Sequence, residues 1–443
     1  MRTQRTAWAV QMKSWLGAIR PGSDYWRDVS RLALGAGAAQ AINFATMPIL
    51  TRLYDPSAFA ILSVYVQAVS LVGLLVSLRF EYAILLPAKK RDAAALLLLV
   101  VGCSLTGVVA WTALIGFANP LLTRFFPNEP EELWLAVPLG AALMSMMVSL
   151  QHWAQREMRY AAIGTSDVLN KLTYFLVGTM LIFFVSPSLG LVGAFCIGSL
   201  VKCVWLLRGS NAPTAMCKAT NRRRLWVRLV RQNLRAYSRM SRSMFASHLL
   251  LTATGLVPTL FIFSEYGADV LGQWALVVST SYVPSALMGA AIGQVYFQRA
   301  AQAHAAGASI KPLWRLTTRK LSMIGIPTFL AFAAVSTWMY PLLFGSNWAV
   351  AGEFAVVMSA SALLAFVTVP VDKTCIVVGA WRYIPLWHTS RLVSACLVAW
   401  LAHALAWSAL VFVVAFTIQA CVMYIVDFFA ERHFASDTGS SAA

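Results

Sequence analysis

Long apolar segments separated by short polar breaks dominate the chain from residue 32 to residue 429. A membrane-spanning helix takes about 20 apolar residues to cross the hydrocarbon core of a bilayer, and runs of that length recur throughout this region. The first half contains six such spans, at residues 32–53, 59–78, 93–118, 133–153, 166–185 and 189–207. The second half contains four further spans and one longer run, at residues 245–263, 270–292, 324–344, 350–371 and 386–429.

The last apolar run must fold back on itself, because it is about twice as long as one span. We expect the turn at residues 403–408. The pattern therefore predicts an all-α integral membrane protein with about twelve transmembrane helices. Strands of a membrane barrel would alternate in polarity over about ten residues, which the segment AAALLLLVV at residues 93–101 does not do.

The two halves of the chain have similar patterns, with a polar segment at residues 208–242 between them. TRLYDPSAFAILSVY resembles FSEYGADVLGQWALV, and SLRFEYA resembles GQVYFQRA at the equivalent span ends. Since each half has an even number of spans, the copies are expected to run parallel and to form two six-helix lobes around a central cavity. The predicted parts are a cytoplasmic N-terminal segment (1–30), a first lobe (31–207), a basic cytoplasmic linker (208–243), a second lobe (244–430) and a cytoplasmic tail (431–443).

The composition supports a membrane location, since 59% of the residues are hydrophobic and only 12% are charged. The net charge of +18 could indicate nucleic-acid binding, but the basic residues concentrate in alternate loops, as membrane topology requires. One set of loops contains Arg79, Lys89, Lys90, Arg91, Arg156, Arg159, Lys311, Arg315, Arg319, Lys320, Lys373 and Arg382. The other set contains Arg52 and Arg124 and the acids Asp55, Glu129, Glu131, Glu132, Glu265 and Asp269. We therefore expect both termini in the cytoplasm and no nucleic-acid partner.

The seven cysteines show no CxxC spacing and no neighbouring His or acid at metal-ligand spacing. We therefore expect neither a disulfide framework nor a metal site, and no cofactor.

The first 30 residues lack the continuous apolar core and the small-residue cleavage site of a signal peptide. They are expected to stay on the cytoplasmic side, as a helix on the membrane surface or as a basic tail.

Four segments spread from about residue 31 to residue 429 resemble a known family. They are AQAINFATMPILTRLYDPSAFA at the first two spans, LRFEYAILLP after the second, QVYFQRAAQ after the eighth, and PLLFGSNWAVAGEFA between the ninth and the tenth. In these segments the chain resembles the polysaccharide-export flippases, which move undecaprenyl-diphosphate-linked repeat units of O-antigen or exopolysaccharide across the bacterial inner membrane. One departure is Ala60, where the family commonly has Gly, and it bears on no functional residue.

The resemblance implies the fold of the multidrug/oligosaccharidyl-lipid/polysaccharide exporter superfamily, with alternating access between two six-helix lobes. It also implies a multi-pass protein of the inner membrane that is a transporter and not an enzyme. The expected partners are a lipid-linked oligosaccharide substrate and membrane lipids, with a polysaccharide polymerase and a chain-length regulator as further candidates.

Moving a lipid-linked sugar requires a polar cavity and breaks no covalent bond, so we expect no catalytic residue. The diphosphate is anionic, and Arg can meet its oxygens with a planar set of donors. The candidates for the diphosphate site are charged residues near span ends: Arg31, Arg79, Glu81, Arg299, Lys373 and Arg391. Inside the first span, Gln40 and Asn43 could hydrogen-bond to sugar hydroxyls.

Each candidate also has a purely structural interpretation. Positive-inside topology explains basic residues at cytoplasmic span ends without any ligand. Arg79 and Glu81 could form a local ion pair that braces the mouth of the cavity. A shifted span boundary would leave Arg391 at the membrane interface, and Gln40 and Asn43 could make contacts between helices.

Three other functions fit parts of the pattern. A multidrug exporter of the same superfamily would couple to Na⁺ or H⁺ through acids inside its helices, whereas Glu81, Asp167 and Asp372 lie at span edges. A membrane-embedded polysaccharide polymerase or glycosyltransferase would have a large outer loop or an acid-rich cytoplasmic domain, but the longest outer loop is residues 119–132. A channel or a scaffold stays open, although the internal repeat favours a transporter. If transport is coupled to protons, the same three acids are expected to carry the coupling.

Overall fold

The structure is a computed structural model, which describes residues 24–87, 89–125, 131–220, 223–380 and 382–437. These residues form α-helices, short 3-10 helices and turns, with no β-strand among them. The first helices are α1 (Asp24–Leu53), α2 (Pro56–Ser77), α3 (Lys90–Phe125), α4 (Glu131–Arg156), α5 (Tyr160–Leu181), α6 (Pro187–Leu207) and α7 (Ala212–Thr220). The others are α8 (Arg223–Ser281), α9 (Val283–Ala305), α10 (Lys311–Phe344), α11 (Ala349–Thr368), α12 (Thr374–Val377), α13 (Tyr383–Ala404) and α14 (Ala409–Asp437). The 3-10 helices are Phe80–Leu85, Ser346–Trp348 and Val369–Val371.

The prediction of an all-α membrane protein with about twelve spans is confirmed. Within the described residues, eight helical segments are long and apolar enough to cross a bilayer. One of these, Trp226–Ser285, contains two helices that meet at Gly267, where a φ of 86° suits a residue without a Cβ. Counting these two separately and adding α1, α5 and α13, which coincide with three further predicted spans, gives twelve.

The second half contains a fold-back before α14 and a break between α8 and α9. The long apolar run folds back at residues 405–408, as expected, and Ala406 has a φ of 49° in this turn. The predicted span 270–292 consists of two helical segments, because α8 ends at Ser281 and α9 begins at Val283. Pro284 accounts for the break, since proline has no N–H to donate and its ring collides with the preceding turn.

The predicted linker at residues 208–243 is largely helical and packs against the first half. It comprises α7 and the beginning of α8. Asn233 on α8 donates a hydrogen bond of 3.2 Å to the carbonyl of Asp92, and the Ser241 hydroxyl donates to the carbonyl of Leu78. These bonds attach the first part of α8 to the end of α2 and the start of α3. The domain boundaries themselves stay predictions.

Helices α1 and α5 approach each other closely within the first half. A Cβ placed on Gly35 would overlap the backbone of Gly164, so only glycine allows this separation. At the other end of the same pair, the Tyr54 hydroxyl donates a hydrogen bond of 2.7 Å to the carbonyl of Gly178. Small residues and buried polar bonds are what hold helices together in lipid, because lipid chains are as apolar as the side chains they surround.

The two halves meet at the end of the bundle that holds Asp55, Glu265 and Asp269, which we call the acidic end. Here the Trp348 indole donates a hydrogen bond of 2.8 Å to the carbonyl of Thr51. Its ring also lies edge-on to Phe59, with 5.3 Å between ring centroids. These contacts join the start of α11 to the turn between α1 and α2.

Further polar contacts close the acidic end. The Gln273 amide on α8 donates to the carbonyl of Asn347 at 2.6 Å and accepts from the N–H of Ala351 at 2.9 Å. Arg52 donates to the carbonyl of Leu342 at 3.0 Å. Arg52 and Trp348 therefore join the halves at the acidic end, and Gln273 orders the segment of the second half that holds Trp348.

We predict that Gly272→Ala lowers the unfolding temperature of the purified protein. A Cβ at this position would overlap the carbonyl group of Pro56, so α2 and α8 would have to separate. Overpacking of this kind typically costs about 1–3 kcal/mol. The matched control is Gly102→Ala, because a Cβ there meets no atom within 4 Å. Equal unfolding temperatures for the two variants would contradict the close approach of the halves.

Candidate functional site

Three cavities form a connected series: two lie between the two halves, and the third lies within the second half. The first cavity, of about 430 Å³, is enclosed by α1, α2, α5, α6 and α8. The middle cavity, of about 380 Å³, is enclosed by α2, α8, α11, α13 and α14. The residues common to both are Ser63, Gln67, Ala275 and Ser279. A third, mouth cavity of about 330 Å³ shares Leu251, Arg391 and Tyr424 with the middle cavity.

Three of the predicted binding residues line these cavities. Asn43 lines the first cavity, Lys373 lines the mouth cavity, and Arg391 lines both the middle and the mouth cavity. Gln40 lies one turn before Asn43 on α1 and is partly buried, but it is not among the residues lining the three cavities. Asn43 is therefore the better placed of the two amides of α1 to meet a ligand.

Two other predicted residues lie elsewhere. Arg299 on α9 lines a separate cavity of about 260 Å³, together with Lys320 of α10. Arg31 is on α1, but its side chain lies outside the described residues. The roles proposed for these arginines stay predictions.

Arg391 is a cation held between aromatic rings. Its guanidinium carbon is 5.8 Å from the ring centre of Trp387 and 5.6 Å from that of Tyr424. The ring faces carry partial negative charge, so they stabilise the cation by about 0.5–2 kcal/mol without neutralising it. Arg391 thus keeps its positive charge available to an anion in either of the two cavities it lines.

Arg79 lies at the end of α2 in a strained backbone conformation. Both Leu78 and Arg79 have positive φ, at 47° and 62°, which costs roughly 1–3 kcal/mol for such residues. The Arg79 guanidinium is 3.2 Å from Glu81, which is only 2% exposed, and it lies 5.6 Å from the ring centre of Tyr82. The expected local ion pair is therefore present, and it neutralises part of the positive charge of Arg79.

Two histidines connect Arg79 to Arg391 across the two halves, and sequence reasoning missed both. His248 on α8 packs against Tyr82 with tilted rings, 5.6 Å between centroids, and lies within electrostatic range of Arg79. His388 on α13 lines the mouth cavity and lies within electrostatic range of both Arg391 and His248. We call Arg79, His248, His388 and Arg391 the cationic line. No sequence motif marks these histidines, since they are isolated in the chain.

Lysines inside the first half were also missed. Lys202 on α6 is buried and lies 2.5 Å from the Asp167 carboxylate and 3.0 Å from the Gln151 side chain. Lys171 and Asn170 on α5 line the first cavity. Both lysines fall within predicted spans, and a charged residue at such a position is itself a signal of function.

Acids are more numerous inside the second half than the sequence interpretation allowed. Asp427 and Glu431 on α14 are 5% and 1% exposed. Asp427 accepts a hydrogen bond of 2.7 Å from Tyr383, and Glu431 accepts one of 3.0 Å from the N–H of Cys375. With Asp372, they form an acid cluster beside the mouth cavity. The expectation of acids only at span edges is thus incomplete.

Sequence and structure comparisons relate this arrangement to known proteins. Residues 49–353, more than half of the chain, match the family described as "Polysaccharide biosynthesis protein". The chain belongs to this polysaccharide biosynthesis family. A comparison with curated proteins finds no match.

The fold of this polysaccharide biosynthesis protein is similar to that of several transporters. An inward-facing multidrug resistance MATE transporter of the MOP superfamily has 14% identity and a TM-score of 0.64, over 91% of this chain and 96% of that chain. The lipid II flippase MurJ in an inward closed conformation has 10% identity and a TM-score of 0.63, over 90% and 87%. A MOP-superfamily transporter from Pyrococcus furiosus, described by the reversed polarity of its binding pocket, has 12% identity and a TM-score of 0.55, over 94% and 96%. These likenesses establish the fold.

We predict that Asp167→Asn destabilises this polysaccharide biosynthesis protein, measured as a lower unfolding temperature. The substitution leaves the buried Lys202 without its acid, and breaking a buried pair typically costs about 3–5 kcal/mol. The control is Asp92→Asn, because Asp92 pairs with an exposed Arg91 at 3.7 Å and such surface pairs contribute at most about 1 kcal/mol. Adding Lys202→Met to Asp167→Asn should restore part of the loss. A single variant as stable as the control would show that the pair is not buried.

Proposed function

We propose that this protein is a flippase that moves a lipid-linked oligosaccharide, carried on undecaprenyl diphosphate, across the bacterial inner membrane. The observation that carries the proposal is the cationic line, in which Arg391 lines both the middle and the mouth cavity, and Arg79 and His248 lie against Tyr82 in the first half. Membership of the polysaccharide biosynthesis family and the fold shared with transporters both support it.

The diphosphate fits the cationic line because the arginines at its two ends are positively charged and the histidines between them carry ring N–H donors. An Arg guanidinium donates two parallel hydrogen bonds to phosphate oxygens, and neighbouring histidines donate further bonds. Arg391 projects into two cavities at once, so an anion beside it can pass from the mouth cavity to the middle cavity. Lys373 extends the positive charge to the outer edge of the mouth cavity.

The sugar is expected to occupy the first and middle cavities. Polar side chains line the boundary between these cavities, namely Ser63, Gln67 and Ser279. Hydroxyl and amide groups can donate to and accept from sugar hydroxyls, and no bond of the substrate has to break. The polyprenyl chain is expected to stay in the lipid, since transferring it into a polar cavity would lose its hydrophobic stabilisation.

A multidrug exporter is the second candidate, and the acid cluster is the observation that favours it. Acids beside a cavity attract cationic drugs and could bind the protons or sodium ions that drive drug export. The proposals differ in the charge of the cargo, so one reconstitution can compare them.

We predict that Arg391→Ala lowers the rate at which an undecaprenyl-diphosphate oligosaccharide changes leaflet in liposomes. Hydrogen bonds to charged groups contribute about 1.5–3 kcal/mol, so the rate should fall roughly tenfold to a hundredfold. Arg235→Ala is the matched control, because Arg235 is also an arginine but is exposed on α8 and lines none of the three cavities. Arg391→Lys should be intermediate, since lysine keeps the charge and loses the planar donors.

Two results would contradict the flippase proposal. One is an equal rate for the native protein and for liposomes without protein. The other is efflux of a cationic dye by the native protein, with no movement of the oligosaccharide; this result would favour the drug exporter.

The expected orientation places both termini in the cytoplasm. A green fluorescent protein fused after residue 443 should therefore fluoresce, whereas an alkaline phosphatase inserted between Ala406 and Trp407 should be active. The reason is the excess of Lys and Arg in the loops on the side of the termini, which resist transfer across the membrane. Phosphatase activity of a fusion after residue 443 would reverse the assignment.

A further inference from the structure

Lys171 is a cation in the first cavity without an acid of its own. Among the described residues it forms no ion pair, whereas its neighbour Lys202 lies 2.5 Å from Asp167. The three groups are within electrostatic range of one another. Two lysines and one aspartate leave one surplus positive charge, and Lys171 is the member of the group that lines the cavity.

A surplus charge within a membrane span is costly, so it is expected to serve a ligand. The ligand would be an anion, because Lys171 offers three donors and no acceptor. The surrounding surface suits a sugar: it combines the amides of Asn43, Gln67 and Asn170 with the rings of Tyr174 and Phe195. Amides satisfy sugar hydroxyls, and aromatic rings cover the apolar faces of the sugar.

The first cavity lies deeper than the cationic line. Lys171 is about three turns into α5, which begins at Tyr160 near the basic loops. The lining of the first cavity also includes Phe59, whose ring contacts Trp348 at the closed acidic end. A substrate whose diphosphate lies at Arg391 would therefore extend its sugars toward Lys171.

We propose that Lys171 binds an anionic substituent, a carboxylate or a phosphate, on the oligosaccharide, so that the substrate of this protein is an acidic glycan. The inference rests on the proposed flippase function and adds a second site for negative charge, distinct from the diphosphate site. Lys202 and Asp167 act as positioning residues. Lys202 pairs with the Asp167 carboxylate, so this carboxylate does not pair with Lys171, and Lys171 can bind the glycan.

The test uses three undecaprenyl-diphosphate tetrasaccharides of equal length in liposomes containing the full chain. One contains a glucuronic acid, one contains a glucose 6-phosphate, and one contains glucose at the same position. The native protein should move at least one acidic probe roughly tenfold faster than the neutral probe, since a charge-assisted hydrogen bond is worth about that factor. The two acidic probes distinguish carboxylate from phosphate.

The variants separate a charge effect from a folding effect. Lys171→Met should reduce the ratio of acidic to neutral rates to about one, whereas Lys171→Arg should preserve it. Lys171→Gln keeps a polar group and serves if the methionine variant does not fold. A native ratio of about one, or a ratio that survives in Lys171→Gln, would overturn the acidic-glycan inference while leaving the flippase proposal intact. Failure of the native protein to move any of the probes would overturn both.

Discussion

Hydrogen bonds between the turn joining α1 and α2 and the start of α11 fix the two halves relative to each other. Lipid offers these helices no hydrophobic driving force to associate, so polar bonds and close packing must hold them. Gln273 is central, because its amide bonds to both Asn347 and Ala351 and thereby orients the neighbouring Trp348 toward Thr51. The cavities between the halves, and every residue that lines them, depend on this closure. Alternating access would require these bonds to open while equivalent contacts form at the opposite end.

The buried cations of the protein are stabilised in three different ways, and these differences determine which can bind a substrate. Lys202 has a carboxylate within ion-pair distance, so little of its charge reaches the cavity. Arg391 lies against the rings of Trp387 and Tyr424, which stabilise the cation without neutralising it. Lys171 forms no ion pair within the described part of the chain and lines the first cavity. Arg391 and Lys171 are therefore the cations that we propose as sites for an anionic substrate.

Apolar periodicity was sufficient to predict the helical fold, because a bilayer demands a fixed length of apolar helix. It placed the fold-back before α14. It does not decide whether Pro284 kinks a helix or ends one, since a proline within an apolar run can do either, and the structure has a one-residue break at Tyr282. The candidate site was harder to predict. Arg391 could be found as a charge inside a span, whereas His248 and His388 meet only through tertiary packing, which no local pattern encodes. Lys171 and Lys202 could have been found by the criterion that identified Arg391.

The acid cluster lies close enough to Arg391, one of the cations proposed to bind the substrate, for their charges to interact. Of the acids first considered for proton coupling, Glu81 has Arg79 as its partner and Asp167 has Lys202. Asp427, by contrast, bonds to Tyr383 and lies within electrostatic range of Arg391. When Asp427 is ionised, its negative charge repels a diphosphate at Arg391 and partly offsets the positive charge of the arginine. Protonation of Asp427 removes this effect. Linkage makes the effect reciprocal, because an anion bound at Arg391 must then favour the protonated acid by the same free energy. The position of Asp427 beside Arg391 is therefore sufficient, without any direct contact between proton and substrate, to make the binding of one depend on the other.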